Sequence, residues 1–250
     1  MKNLVVLEFA KMRRQHLPLL GVCLLLVVVT LSSMGLFVEA NRSKFTDPDA
    51  FPWAGLLLNY VFMSALVAPL FTAIFASRVT EIEHSGNGWM LAAGTGVGVG
   101  TLCRAKLIVL SVIVIPSVFI QSFLLLCIGN LAGITRPLEW RPWTIYILLL
   151  IFVQIAFCAL HLCISARIEN QLVGIGCGLL GSFIAVFCLL LPRSISLFIP
   201  WGYFAAIGPV GTDGSSVFYS SVPWVWIVIF LLASGVVFMM VTRNFDRKGN

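Results

Sequence analysis

The chain has 250 residues, of which 60% are apolar and only 10% charged, and its mean hydropathy is +1.02. Soluble domains carry about 25% charged residues, so this composition cannot cover a water-facing surface. It excludes soluble enzymes, nucleic-acid-binding domains and disulfide scaffolds, and specifies an all-α integral membrane protein.

Residues 1–16 precede the first long apolar stretch. Glu8, Lys11 and Gln15 share a narrow face at helical spacing, with Leu7, Phe9 and Met12 elsewhere around it. The pattern fits an N-terminal helix lying in the membrane interface, and equally an ordinary positively charged anchor sequence. Six apolar stretches follow, at 17–37, 53–76, 107–134, 143–164, 172–191 and 222–241. Together they hold 135 residues and none of the 26 Asp, Glu, Lys and Arg side chains. A charge at mid-bilayer costs about 2.5–3.5 kcal/mol, and about 20 helical residues cross the hydrocarbon core. Each stretch is predicted to be a transmembrane helix of a single domain covering 1–250. Val38-Glu39-Ala40 has the look of a cleavage site, but the 21 apolar residues before it exceed the length of a signal-peptide core. An uncleaved signal-anchor is expected.

Alternate connections hold eleven Lys and Arg on one side and five on the other. The excess marks the cytoplasmic side, which places both termini there. The net charge of +6 is mostly this bias and is suited to anionic membrane lipid. Seven cysteines lie within or near the spans or on the predicted cytoplasmic side, so no structural disulfide is expected.

The connection between the second and third spans is the longest cytoplasmic one, about thirty residues where a helical hairpin needs only a few. It runs from acidic Glu81 and Glu83 through Gly86 to the apolar run Trp89-Met90-Leu91, then through glycines 94, 96, 98 and 100 to Arg104 and Lys106. This order suggests a short interfacial helix, followed by a flexible string, presented to a cytoplasmic partner. The glycines do not form a dinucleotide fingerprint, because positions 99 and 101 are Val and Thr, and no phosphate-binding loop with its Gly-Lys-Ser/Thr ending occurs. The chain is therefore not expected to hydrolyse ATP itself.

Three further features concern the spans. Gln154, Cys158 and His161, continued by Ser165, share one face of the fourth span, a candidate polar strip along a translocation path. Cys158 and His161 are too few ligands for a metal, and a neutral hydrogen-bonded histidine is the simpler expectation. Gly174, Gly178 and Gly181 in the fifth span recur at helical spacing and form a packing face, within the bundle or toward a second copy. Leu197–Gly208 is apolar but too short to cross, which suggests a re-entrant hairpin before the sixth span.

These features together resemble the ABC-2 family of permeases, the membrane subunits of ATP-driven exporters. The resemblance rests on six spans with both ends inside, the long loop after the second span, the re-entrant segment before the sixth, and the acid–glycine–apolar run–lysine order at Glu83, Gly86, Trp89-Met90-Leu91 and Lys106. Glu8-Phe9-Ala10-Lys11-Met12-Arg13-Arg14 is similar to the start of the subgroup that protects bacteria from lantibiotics. Many members carry proline and arginine where Gly94–Gly100 stands here. The resemblance implies a bacterial plasma-membrane protein with two ABC ATPase subunits and a second permease chain, identical or homologous. It implies ATP and Mg on the ATPase and no cofactor on this chain. Glu81, Glu83, Gly86, Trp89, Met90 and Leu91 would form the ATPase-coupling segment. The cargo would be an amphipathic peptide or lipid-like compound. An integral membrane enzyme using His161 and an anchor for a soluble partner stand as alternatives.

Overall fold

The structure is a computed structural model that describes residues 2–14, 16–47, 50–213 and 216–248. Gln15 of the predicted polar face lies outside the described residues. Helical residues make up 82% of the chain, and among the described residues six helices are long and apolar enough to cross a membrane. In chain order the helices are α1 (Lys2–Arg14), α2 (Leu17–Ser33), α3 (Glu39–Arg42), α4 (Pro52–Ser85), α5 (Gly88–Gly94), α6 (Val99–Leu131), α7 (Trp140–Arg167), α8 (Gln171–Leu190), α9 (Arg193–Ser196), α10 (Tyr203–Ala206) and α11 (Trp224–Lys248).

The spans extend beyond their apolar stretches. Helix α4 continues from the expected end at 76 to Ser85, and α6 begins at Val99 rather than 107. The expected thirty-residue connection is therefore mostly helix, and only 86–98 joins the two, with α5 inside it. Polar residues can stay helical past the apolar limit because neighbouring helices solvate them, as described below for Glu83 and His84. Helix α4 is central, packing on α2, α7 and α8.

The expected glycine face is an internal packing face. A Cβ on Gly174 would lie 2.5 Å from Ser77 Oγ, one on Gly178 would lie 2.3 Å from Ala73 Cβ, and one on Gly181 would lie 2.0 Å from Trp201 Nε1. All three glycines are buried against α4 or Trp201, so this face is not open to a second copy. Small residues allow α8 and α4 to approach closely.

The segment expected to be a re-entrant hairpin follows the short α9 and is broken into a 3-10 turn (Pro200–Gly202) and α10; all three pack on α8. An antiparallel ribbon follows, β1 (Val210–Thr212) with β2 (Val217–Tyr219), which the all-helical expectation missed. Arg193 donates to the carbonyls of Gly208 (2.6 Å) and Ser221, and Tyr219 donates to Glu139 at 2.8 Å. Within this half of the bundle, Tyr60 stacks on Trp143 and meets Tyr146 edge-on at 5.2 Å.

Candidate coupling site

At the opposite end, α1, α4, α5, α6 and α11 converge. Glu83 of α4, Lys106 of α6, and Glu8 and Lys11 of α1 form one ionic network. Lys106 donates to Glu83 Oε1 at 2.9 Å and also to Glu8, while Lys11 donates to Glu8 Oε1 at 2.7 Å and to Glu83 Oε1 at 2.8 Å. Glu8, Glu83 and Lys106 are 3%, 2% and 1% exposed. Two carboxylates and two ammonium groups cancel, so no net charge is buried, and each has a charge-assisted hydrogen bond. Burial acts to lower the Lys11 pKa, but its hydrogen bonds to Glu8 and Glu83 outweigh this and hold it above the ordinary lysine value. Glu83, expected on a presented surface, is inside. Its carboxylate also occupies the space beside Gly88, where a Cβ would fall 1.9 Å from Oε2, so α5 starts directly on the network.

Alongside it, α6 is pinned to α11. Asp246 accepts from the Thr101 backbone N–H at 2.9 Å and from Arg104 at 2.7 Å, and Arg104 also donates to Thr242 Oγ1 at 3.1 Å. The aspartate caps an N–H group that the start of α6 leaves without a partner in its own helix. A Cβ on Gly100 would lie 1.8 Å from the Thr242 carbonyl oxygen and one on Gly98 2.2 Å from Asp246 Oδ1. The expected flexible glycine string thus divides. Gly96 (φ +79°) makes the turn, and Gly98 and Gly100 admit the backbone and carboxylate of α11.

The remaining coupling candidates separate by exposure. Gly86 ends α4 through its N–H to the Ile82 carbonyl, and Glu81 pairs with Arg78 at 3.3 Å. Trp89 is half-buried and donates its indole N–H to His84 Nδ1 at 3.2 Å. Met90 and Leu91 project outward, 70% and 69% exposed. The structure therefore brings Glu83, Gly86 and Trp89 into the support of α5 and leaves Met90 and Leu91 as its bare face. Glu8, Lys11, His84, Arg104 and Asp246 were not among the coupling candidates. The signal that could have found Glu8 and Lys106 is charge balance beside spans that otherwise exclude charge.

The α7 strip does not line an open path in this structure. Gln154, Cys158, His161 and Ser165 are all buried. Gln154 borders a narrow cavity of about 10 Å³ with Ser64, Ser117 and Gln121. His161 corrects the expectation of a hydrogen-bonded histidine: neither ring nitrogen has a hydrogen-bond partner among the described residues, and the ring packs on Phe157 at 6.3 Å. Among the described residues no group of three His, Cys, Asp or Glu is placed to hold a metal.

A family model described as an ABC-2 family transporter protein matches residues 4–187. The chain belongs to the ABC-2 family. The matched region runs from α1 into α8 and contains the whole ionic network and α5. No curated protein matches the chain. As an ABC-2 protein it is a multi-pass, permease-type membrane component rather than an enzyme, and the family implies association with ABC ATPase partners.

Proposed function

We propose that the chain is the membrane-spanning subunit of an ATP-driven exporter and that α5 is the element that seats in a separate ATPase subunit. One observation carries this reading. Met90 and Leu91 are exposed on a seven-residue helix outside the long spans, and that helix rests on a charge-balanced base of buried Glu8, Glu83 and Lys106 and partly exposed Lys11. An apolar face that must stay rigid while a partner pushes on it needs such a base. A helix held only by its own two short connections would bend instead.

In this reading both termini and α5 face the cytoplasm, in keeping with the eleven-to-five distribution of Lys and Arg. The exposed Val6, Leu7 and Phe9 on α1, opposite buried Glu8 and Met12, fit a helix lying on the bilayer interface. Two ATPase subunits, binding ATP and Mg, would serve a pair of permease chains. The absence of charge inside the six apolar stretches suits an amphipathic peptide or lipid-like cargo better than an ion, and peptide-antibiotic immunity in a bacterial plasma membrane is the fitting context. Gentle purification from the native membrane tests the assignment. An ATPase with vanadate-sensitive activity should come with the chain. A chain that elutes alone, with no ATPase in the preparation, would remove the transporter reading.

A further inference from the structure

We propose that His84 is a positioning residue that joins α5 to the end of α7, so that displacement of α5 reaches a second span without passing along the backbone of α4. The proposal rests on the docking role of α5 given above. His84 lies in the last turn of α4 with both ring nitrogens engaged: Nδ1 is 3.2 Å from the Trp89 indole nitrogen, and Nε2 is 2.8 Å from the Ser165 carbonyl oxygen. The partners dictate the tautomer. An indole N–H only donates and a carbonyl only accepts, so Nδ1 is the acceptor and the proton sits on Nε2. The ring is directional, accepting from α5 and donating to α7.

The two ends of this bridge are suited to transmit force. Trp89 immediately precedes Met90 and Leu91 and also meets the His84 ring edge-on at 5.6 Å, so the bare face of α5 cannot shift without moving the indole. Ser165 lies in the last turn of α7, where carbonyls have no N–H from a following turn, and His84 supplies that missing donor. The Ser165 hydroxyl is bonded to Ser77 Oγ at 3.2 Å, and Gly174 closes on both hydroxyls from α8. The α7 end is therefore seated between α4 and α8, and the bridge pulls on a fixed point. Helix α7 also carries Gln154, Cys158 and His161, and with α11 it borders an apolar cavity of about 290 Å³ that includes Cys163. A displacement delivered at Ser165 acts on the span that holds these residues.

Two measurements test the bridge. In the first, the isolated chain is labelled with ¹⁵N-histidine and placed in lipid bilayers; only His16, His84 and His161 contribute signals. One neutral histidine should carry its proton on Nε2 and show a hydrogen-bonded Nδ1. That Nδ1 resonance should move in W89F and be lost in H84Q. Resonances unchanged by W89F would overturn the bridge. In the second, the complex purified with its ATPase is treated with N-ethylmaleimide, and alkylation of Cys163 is followed by mass spectrometry, nucleotide-free and trapped with vanadate. The rate should change about fivefold or more between the two states, a coupling of ordinary allosteric size. In H84F the change should disappear while ATP hydrolysis continues, and H84Q, whose amide offers a donating NH2 and an accepting carbonyl, should restore part of it. A wild-type rate indifferent to nucleotide, or an H84F rate that still responds, would overturn the proposal. If no ATPase purifies with the chain, the function proposed above fails, and the histidine resonances of the isolated chain decide the bridge separately.

Discussion

Lys106 and Glu83 meet at 2.9 Å between α6 and α4, each almost completely sealed from solvent, and both also bond to side chains of α1. Removing one member of such a pair leaves the other buried without compensation, at a cost of about 3–5 kcal/mol, whereas removing both together is often close to neutral. K106M should therefore strongly lower the unfolding midpoint in detergent. The double variant E83M with K106M, which leaves Glu8 paired with Lys11, should recover most of that loss. Equal and additive losses would show that the two groups act independently.

Lys11 sets an alkaline limit on the same network. Its pKa is raised in the folded protein by Glu8 and Glu83, against the effect of burial. Its stabilising contribution is fully present below the ordinary lysine value of 10.5 and is lost as pH rises through the higher folded value. Stability measured from pH 7 upward should hold steady on this account and fall only in strong alkali. K11M should lack this alkaline component, and a wild-type loss already complete by about pH 9 would contradict the assignment.

Gly178 and Gly176 make a matched pair on α8. A Cβ at 178 would overlap Ala73 Cβ and approach the Pro69 carbonyl oxygen at 3.0 Å, while a Cβ at 176 meets nothing within 4 Å. G178A should destabilise by about 1–3 kcal/mol through overpacking. G176A should be neutral or gain about 1 kcal/mol or less from helix propensity. Thermal unfolding of the two variants side by side gives the comparison.

Met90 and Leu91 should matter for partnership and not for folding. Because both side chains are mostly exposed, M90D and L91D should leave the unfolding midpoint within about 0.5 kcal/mol of the parent. Co-purification of the ATPase should fall by about thirtyfold, the effect of losing an interfacial anchor worth about 2 kcal/mol. Undiminished ATPase recovery in both variants would place the docking surface elsewhere.

G100V tests the contact between α6 and α11. The added side chain would meet the Thr242 carbonyl and the Asp246 carboxylate, breaking the cap on α6. A loss of about 1–3 kcal/mol is expected. G94A, at a glycine whose Cβ meets nothing within 4 Å, should be tolerated and serves as the control.

The helix ends show where sequence reading stops. Trp53–Ala76 is recognisable as a span because it contains no charge, yet α4 runs on through Ser77, Thr80 and Glu83 to Ser85. Ser77 and Glu83 look like the start of a loop because their solvation comes from side chains remote in the chain, whereas Thr80 bonds to the carbonyls of its own preceding turn. Ser77 meets Ser165, and Glu83 meets Lys106 and Lys11. The glycine face of α8 was recognisable from its spacing, but its partner was not, since Ala73 and Trp201 come from separate segments. His84 had no visible role at all, because a histidine at the end of a span has no local signal for a carbonyl 81 residues away.

Six membrane crossings follow from composition and from the exclusion of charge, because every residue meets the hydrocarbon core on its own terms and the cost is local. The site depended on packing. Glu8 and Lys106 lie 98 residues apart and neutralise each other only where α1 is laid against α6. Burying an ion is unfavourable until its partner arrives. Which charges end inside, and which apolar side chains are left bare on α5, is therefore decided by how the helices pack together.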